Sequence, residues 1–141
     1  MDQELMDLFF RPMRQELVQY GFQELRTPEE VEEAMGDLSG TTLVVINSMC
    51  GCAGGIARPA VGMALQHSRR PDRLLTVFAS QDREATARMR AYFPEYPPSS
   101  PSIFLFKDGQ VVMAMHRSQI ETRDAEAVRQ DLVQAFDQFC A

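Results

Sequence analysis

Cys50 and Cys52 stand one glycine apart in Ser48-Met49-Cys50-Gly51-Cys52-Ala53-Gly54-Gly55. Two sulfurs so close suit a metal clip, a structural staple or thiol–disulfide exchange. Residues i and i+2 of a helix point to different sides. The pair therefore meets only if Cys50 lies before the first helical turn and Gly51 lets the backbone bend. A disulfide across so small a ring is strained and easily reduced. Cys50, farther from the helix body, is the candidate nucleophile. Cys52 is the thiol that attacks the resulting mixed disulfide. Gly51, Gly54 and Gly55 leave room for a partner to approach the sulfur.

Other groups join this pair as candidates. Arg58, eight residues after Cys50, favours a thiolate or an anionic substrate; the competing reading is a solvated helix arginine. Asn47 and Ser48 hydrogen-bond near the sulfurs or cap the helix. Ser100-Pro101 follows a proline-rich loop, "PEYPPSSPS", and enters a strand; its bond is either cis or that of an ordinary trans entry. His67 and His116 read as surface histidines rather than proton carriers. The nine methionines follow helix and strand faces and read as core filler. Cys140, one residue from the end of the sequence, reads as a mobile spare thiol; a crosslink site and a third redox group are the alternatives.

Structural zinc takes four ligands, commonly in two pairs. Here a single close pair exists, with Cys140 and both histidines far away in sequence, so no metal is expected. Two inert core cysteines are the bland alternative. Their place at a strand–helix junction favours exchange chemistry, because unpaired helix amides and the helix dipole stabilise a thiolate there.

The elements that position the pair follow from pattern. "TTLVVIN" is β-branched and apolar without alternation, which predicts a strand buried on both faces. "RLLTVFAS" and "SIFLF" are further strands, and "KDG" turns the chain into an antiparallel "QVVMAMHR". "FQELRT" is a short edge strand. Met6, Phe9, Met13, Leu17 and Tyr20 predict an N-terminal helix, kinked or restarted at Pro12 and ended by Gly21. Thr27-Pro28-Glu29-Glu30 opens a second helix that stops near Gly36. "GIARPAVGMALQHS" is a helix bent at Pro59, with Ile56, Ala60, Met63, Ala64 and His67 inward. "QDREATARMRAYF" turns Ala85, Met89 and Tyr92 inward. The last helix opens near Thr122 or Asp124 and buries Val128, Leu132, Ala135, Phe136 and Phe139. Strand–helix alternation implies a parallel core, and the closing hairpin makes the sheet mixed. No internal repeat or linker interrupts it.

Bulk composition narrows the class. The 141 residues are 45% hydrophobic and 24% charged, with a net charge of -6, which disfavours nucleic acid as a partner. No apolar run is long enough to span a bilayer. The acidic start "MDQELMDLFF" is unlike a secretory signal, so the expected compartment is the cytoplasm.

With these pieces placed, the sequence resembles the bacilliredoxin family, thioredoxin-fold proteins with a Cys-Gly-Cys motif. The resemblance runs end to end through "RPMRQELVQYGFQEL", "SGTTLVVINS", "CGCAGGIARPA", "TVFASQDREATARMR", "YPPSSPS" and "AFDQFC". It implies one thioredoxin-like domain over residues 1–141: a three-layer α/β fold, its central mixed sheet flanked by helices, with an N-terminal helical extension. It also implies a thiol–disulfide oxidoreductase that takes bacillithiol from protein mixed disulfides. Cys50 is then the nucleophile and Cys52, or alternatively a second bacillithiol, the resolving thiol, with Gly51, Ser100, Pro101 and Arg58 on the substrate. Bacillithiol is the co-substrate, and no other cofactor is implied. Its partners are bacillithiolated proteins, with no nucleic acid and no membrane. A general protein disulfide isomerase or reductase and a metal-binding thiolate module are the alternative functions.

Overall fold

A computed structural model describes residues 2–141. The order is α1 (Gln3–Gln19), β1 (Gln23–Glu24), α2 (Pro28–Met35), β2 (Thr41–Asn47), a π-helical turn (Ala53–Ala57), α3 (Arg58–Ala64), β3 (Arg73–Phe78), α4 (Arg83–Arg90), β4 (Ser102–Lys107), β5 (Gln110–Met115), α5 (Arg117–Glu121) and α6 (Ala125–Phe139). The strands form one sheet in the order β1-β3-β2-β4-β5. β1, β3 and β2 run parallel, whereas β4 is antiparallel to β2 and β5 antiparallel to β4. This is the expected mixed sheet.

β2 lies at the centre and all seven of its residues are buried, as its unbroken apolar run predicts. Its alternate side chains feed two cores. Leu43 and Val45 pack with Leu17 of α1, the inner faces of α3 and α6, and Ile103 and Leu105 of β4. Val44 and Ile46 pack with α2, α4, Phe104 and Phe106. Helices on both faces make the three layers, and β2 delivers its C-terminal end to the cysteine loop.

Two turns carry out their sequence signals. α1 ends in a Schellman motif: the Phe22 amide donates to the Leu17 carbonyl and the Gly21 amide to Val18, with Gly21 at φ 107°. Asp108 and Gly109, both at positive φ, close the β4–β5 hairpin.

Elsewhere the structure corrects the sequence expectations. α1 is one helix through Pro12, neither ended nor restarted there. Its buried side is Phe10, Arg14 and Leu17, and Phe9 is 53% exposed. A buried arginine hid that stripe. Arg14 is buried because its Nη1 meets Asp82 at 2.7 Å and Glu24 at 3.1 Å, while its guanidinium covers the Phe78 ring. Met63 is 39% exposed, and the inner side of α3 is Ala60, Val61 and Ala64. The π turn adds one residue ahead of α3 and so rotates the inward face. It also places Pro59 at the start of α3, immediately after the π turn. β5 stops at Met115, and α5 follows in place of the expected longer strand.

Candidate active site

The loop Ser48–Cys50 joins β2 to the helical segment that begins at Gly51. Cys50 therefore precedes the first turn, as the spacing requires. Its carbonyl accepts from the Ala53 and Gly54 amides at 3.1 and 3.3 Å. The two sulfurs lie 2.8 Å apart as free thiols, both partly exposed. Gly51 takes a helical conformation with no positive φ, so the meeting does not depend on a glycine-only bend. A side chain at Gly51 or Gly55 would meet nothing within 4 Å, so both glycines keep that side of the dithiol bare.

The two thiols differ electrostatically. Burial pushes the Cys50 thiol up, but hydrogen bonds from Cys52, the Ser48 hydroxyl and the Ala53 amide, with the charge of Arg117, bring it below its ordinary value. Burial, the hydrogen bond to Cys50 and the Cys50 charge push Cys52 up. Of the two thiols, Cys50 is thus the more readily ionised and Cys52 holds its proton to higher pH. Ser48 Oγ stands 3.2 Å from Cys50 Sγ, and the Met49 amide is tied to Ser80 Oγ at 2.9 Å. Met49 itself is 54% exposed beside the nucleophile.

Arg58 is neither a solvated helix arginine nor open to a ligand: it is 7% exposed. Its Nε donates to Glu16 of α1 at 2.8 Å, and its Nη1 donates to Asn47 Oδ1 and to the Ser48 carbonyl. Asn47 in turn donates from Nδ2 to the Met13 carbonyl and accepts from the Ser48 amide. Arg58 therefore clamps α1, the end of β2 and the cysteine loop together. A Cβ at Gly54 would stand 2.9 Å from its Nη2, so this glycine, unlike Gly51, is needed for packing.

The Ser100–Pro101 bond is cis, with Pro101 buried. The arginine that reaches this loop is Arg117, which the sequence does not single out. Its backbone amide donates to Ser99 Oγ at 3.3 Å and its Nη1 to the Ser100 carbonyl at 3.4 Å. Its charge acts on both cysteines. No local signal marks it, because Arg117 and Cys50 are 67 positions apart. The remaining candidates lie elsewhere. His67 pairs with Asp137 Oδ1 at 2.7 Å. His116 caps α5 beside the Tyr96 and Phe104 rings. Cys140 is 5% exposed, buried with α6 rather than mobile, and burial pushes its thiol up. Among the described residues no three Cys, His, Asp or Glu side chains converge as a metal site, and no helix is long and apolar enough to cross a membrane.

Comparison with known proteins adds independent findings. The family described as "Disulphide isomerase" matches residues 5–140. A bacilliredoxin of Symbiobacterium thermophilum is 59% identical over 126 residues, covering 89% of each chain. A bacilliredoxin of Shouchella clausii is 53% identical over 138 residues, or 98% of this chain and 95% of that one. Mitochondrial thioredoxin 3 of Saccharomyces cerevisiae superposes with a TM-score of 0.58 at 13% identity, covering 85% of this chain and 98% of the thioredoxin. That likeness establishes a shared fold. The chain belongs to the bacilliredoxin family, as a thiol–disulfide oxidoreductase of thioredoxin-like fold.

Proposed function

We propose that this oxidoreductase removes bacillithiol from protein mixed disulfides. The observation that carries the reading is the dithiol itself: Cys50 and Cys52 in contact, the first the more readily ionised of the two. The Cys50 thiolate attacks the bacillithiol sulfur. A bond forms between them, the mixed disulfide breaks, and the target protein leaves as a thiolate that takes up a proton. Cys52 then loses its proton and attacks Cys50 Sγ, which releases bacillithiolate and leaves a Cys50–Cys52 disulfide. Two electrons from external thiols restore the dithiol. The open side at Gly51 admits the substrate. Ser100, whose carbonyl accepts from Arg117, and Pro101 are assigned to the substrate backbone. Arg58 acts as a positioning residue. The reading sets the reaction in the cytoplasm, where thiols stay reduced.

The test is a bacillithiolated protein incubated with wild type, Cys50→Ala and Cys52→Ala. Cys50→Ala is expected to leave the adduct at the uncatalysed rate. Cys52→Ala is expected to take it and hold it on Cys50, visible as an added mass on the intact protein. Removal by Cys50→Ala at the wild-type rate overturns the assignment. Unscrambling of a disulfide-shuffled protein with no preference for bacillithiol adducts favours the isomerase reading, which the same sulfurs support.

A further inference from the structure

α1 is apolar on two sides. Phe10, Arg14 and Leu17 form its buried side. Leu5, Leu8, Phe9 and Pro12 recur at i, i+3, i+4 and i+7 and form a second stripe, which faces solvent. Leu5, Leu8 and Phe9 are each more than half exposed. One stripe is enough to join a helix to a core, so the second is surplus to the fold. Three contacts fix its place. The Met13 carbonyl accepts from Nδ2 of Asn47, the last residue of β2. The Phe10 ring lies 5.1 Å from that of Phe78, the last residue of β3 and the register partner of Asn47. Asp7 Oδ1 accepts from Gln81 Nε2 at 2.7 Å, beyond the end of β3. α1 therefore passes the C-terminal end of the sheet near Phe10, and residues 3–9 rise about 10 Å past it. The cysteine loop leaves the sheet at that same end. Met49, next to Cys50 and also more than half exposed, is joined to the overhang: its amide donates to Ser80 Oγ, and Ser80 precedes Gln81.

We propose that the overhanging stripe of α1 docks the protein half of the mixed disulfide, and that it prefers a capped cysteine with leucine- or phenylalanine-type side chains beside it. The inference rests on the exchange reading and names the partner chemistry at that same site. Exchange at Cys50 brings the surface around the target's cysteine against this end of the sheet, so the body that meets the overhang there is the target protein. The size of the stripe suits that occupant. It offers on the order of 400 Å² of apolar surface, the scale of functional patches on monomers and about half of what one side of a standard stable interface buries. A target must leave after each turnover, so a small contact serves it. A second copy of the chain fits less well, because two molecules of net charge -6 repel as they approach.

The experiment uses two peptides with the same charged ends, each with a single cysteine capped by bacillithiol. Leucines flank the cysteine in one and serines in the other. Wild type is expected to free the cap from the leucine peptide faster by kcat/KM. Leu5→Gln combined with Leu8→Gln is expected to reduce the leucine-to-serine ratio about 10-fold, through KM rather than kcat. Leu8→Gln alone is expected to reduce it about 3-fold. Damage to the dithiol or to the fold slows both peptides alike, so the ratio isolates the stripe. A ratio equal in wild type and the double variant overturns docking on α1 while exchange itself stands. A wild-type dimer in analytical ultracentrifugation that the same two substitutions dissociate overturns it as well, because it gives the stripe to a second copy. If wild type frees the cap from neither peptide, the exchange reading fails instead.

Discussion

The nucleophile is made by a few short contacts more than by net charge. Cys50 has the Ser48 hydroxyl at 3.2 Å, the Cys52 thiol at 2.8 Å and the Ala53 amide behind it. Each favours its ionised form, and together they outweigh burial. Thiolate rises with pH, so a thiol held below its ordinary value alkylates at lower pH than a free cysteine. Ser48→Ala removes one of those donors. The inflection in iodoacetamide labelling of Cys50 against pH should then move upward, with little change in fold, because Ser48 is small and its carbonyl and amide contacts remain. An unmoved inflection would mean that the hydroxyl leaves the thiolate alone. The identity of both sulfurs was legible from one glycine between two cysteines after a strand. The contribution of Ser48 was legible only as proximity, and that of Arg117 not at all, since no spacing rule connects a residue after β5 to one after β2.

At the scale of elements, α1 is part of the site's support rather than an appendage. Glu16 and the Met13 carbonyl reach Arg58 and Asn47, and the Tyr20 ring closes on α3 so tightly that a Cβ at Gly62 would stand 2.4 Å from it. Arg58→Met should therefore weaken the whole assembly. It leaves Asn47 and the Ser48 carbonyl without their donor, at a loss of about 2–4 kcal/mol. Urea unfolding should show a lower midpoint at unchanged slope. A midpoint within error of wild type would sink the clamp. The helices and strands themselves were legible, since β2's apolar run, Asp124 and the Asp-Gly turn each announced their roles. The inner faces of α1 and α3 were not. A salt-bridged arginine occupies a core position in the first, and a π turn shifts the phase ahead of the second; neither is written in hydrophobic periodicity.

For the whole molecule, the sheet separates two cores, and β2 is the spine common to both. The dithiol follows the C-terminal end of that spine. Cys140 sits near the other end, close to Thr41, the first residue of β2. A full strand thus stands between the reactive pair and the third sulfur. The native protein should give up two thiols rapidly to an aromatic disulfide reagent and the third only in denaturant; three fast thiols would contradict the burial of Cys140. That partition turns Cys140 into a built-in stopwatch. Once the outer pair is capped, the slow appearance of the last thiol under mild conditions times how often the C-terminal helix lets go of its strand, read from a single absorbance trace without any engineered label.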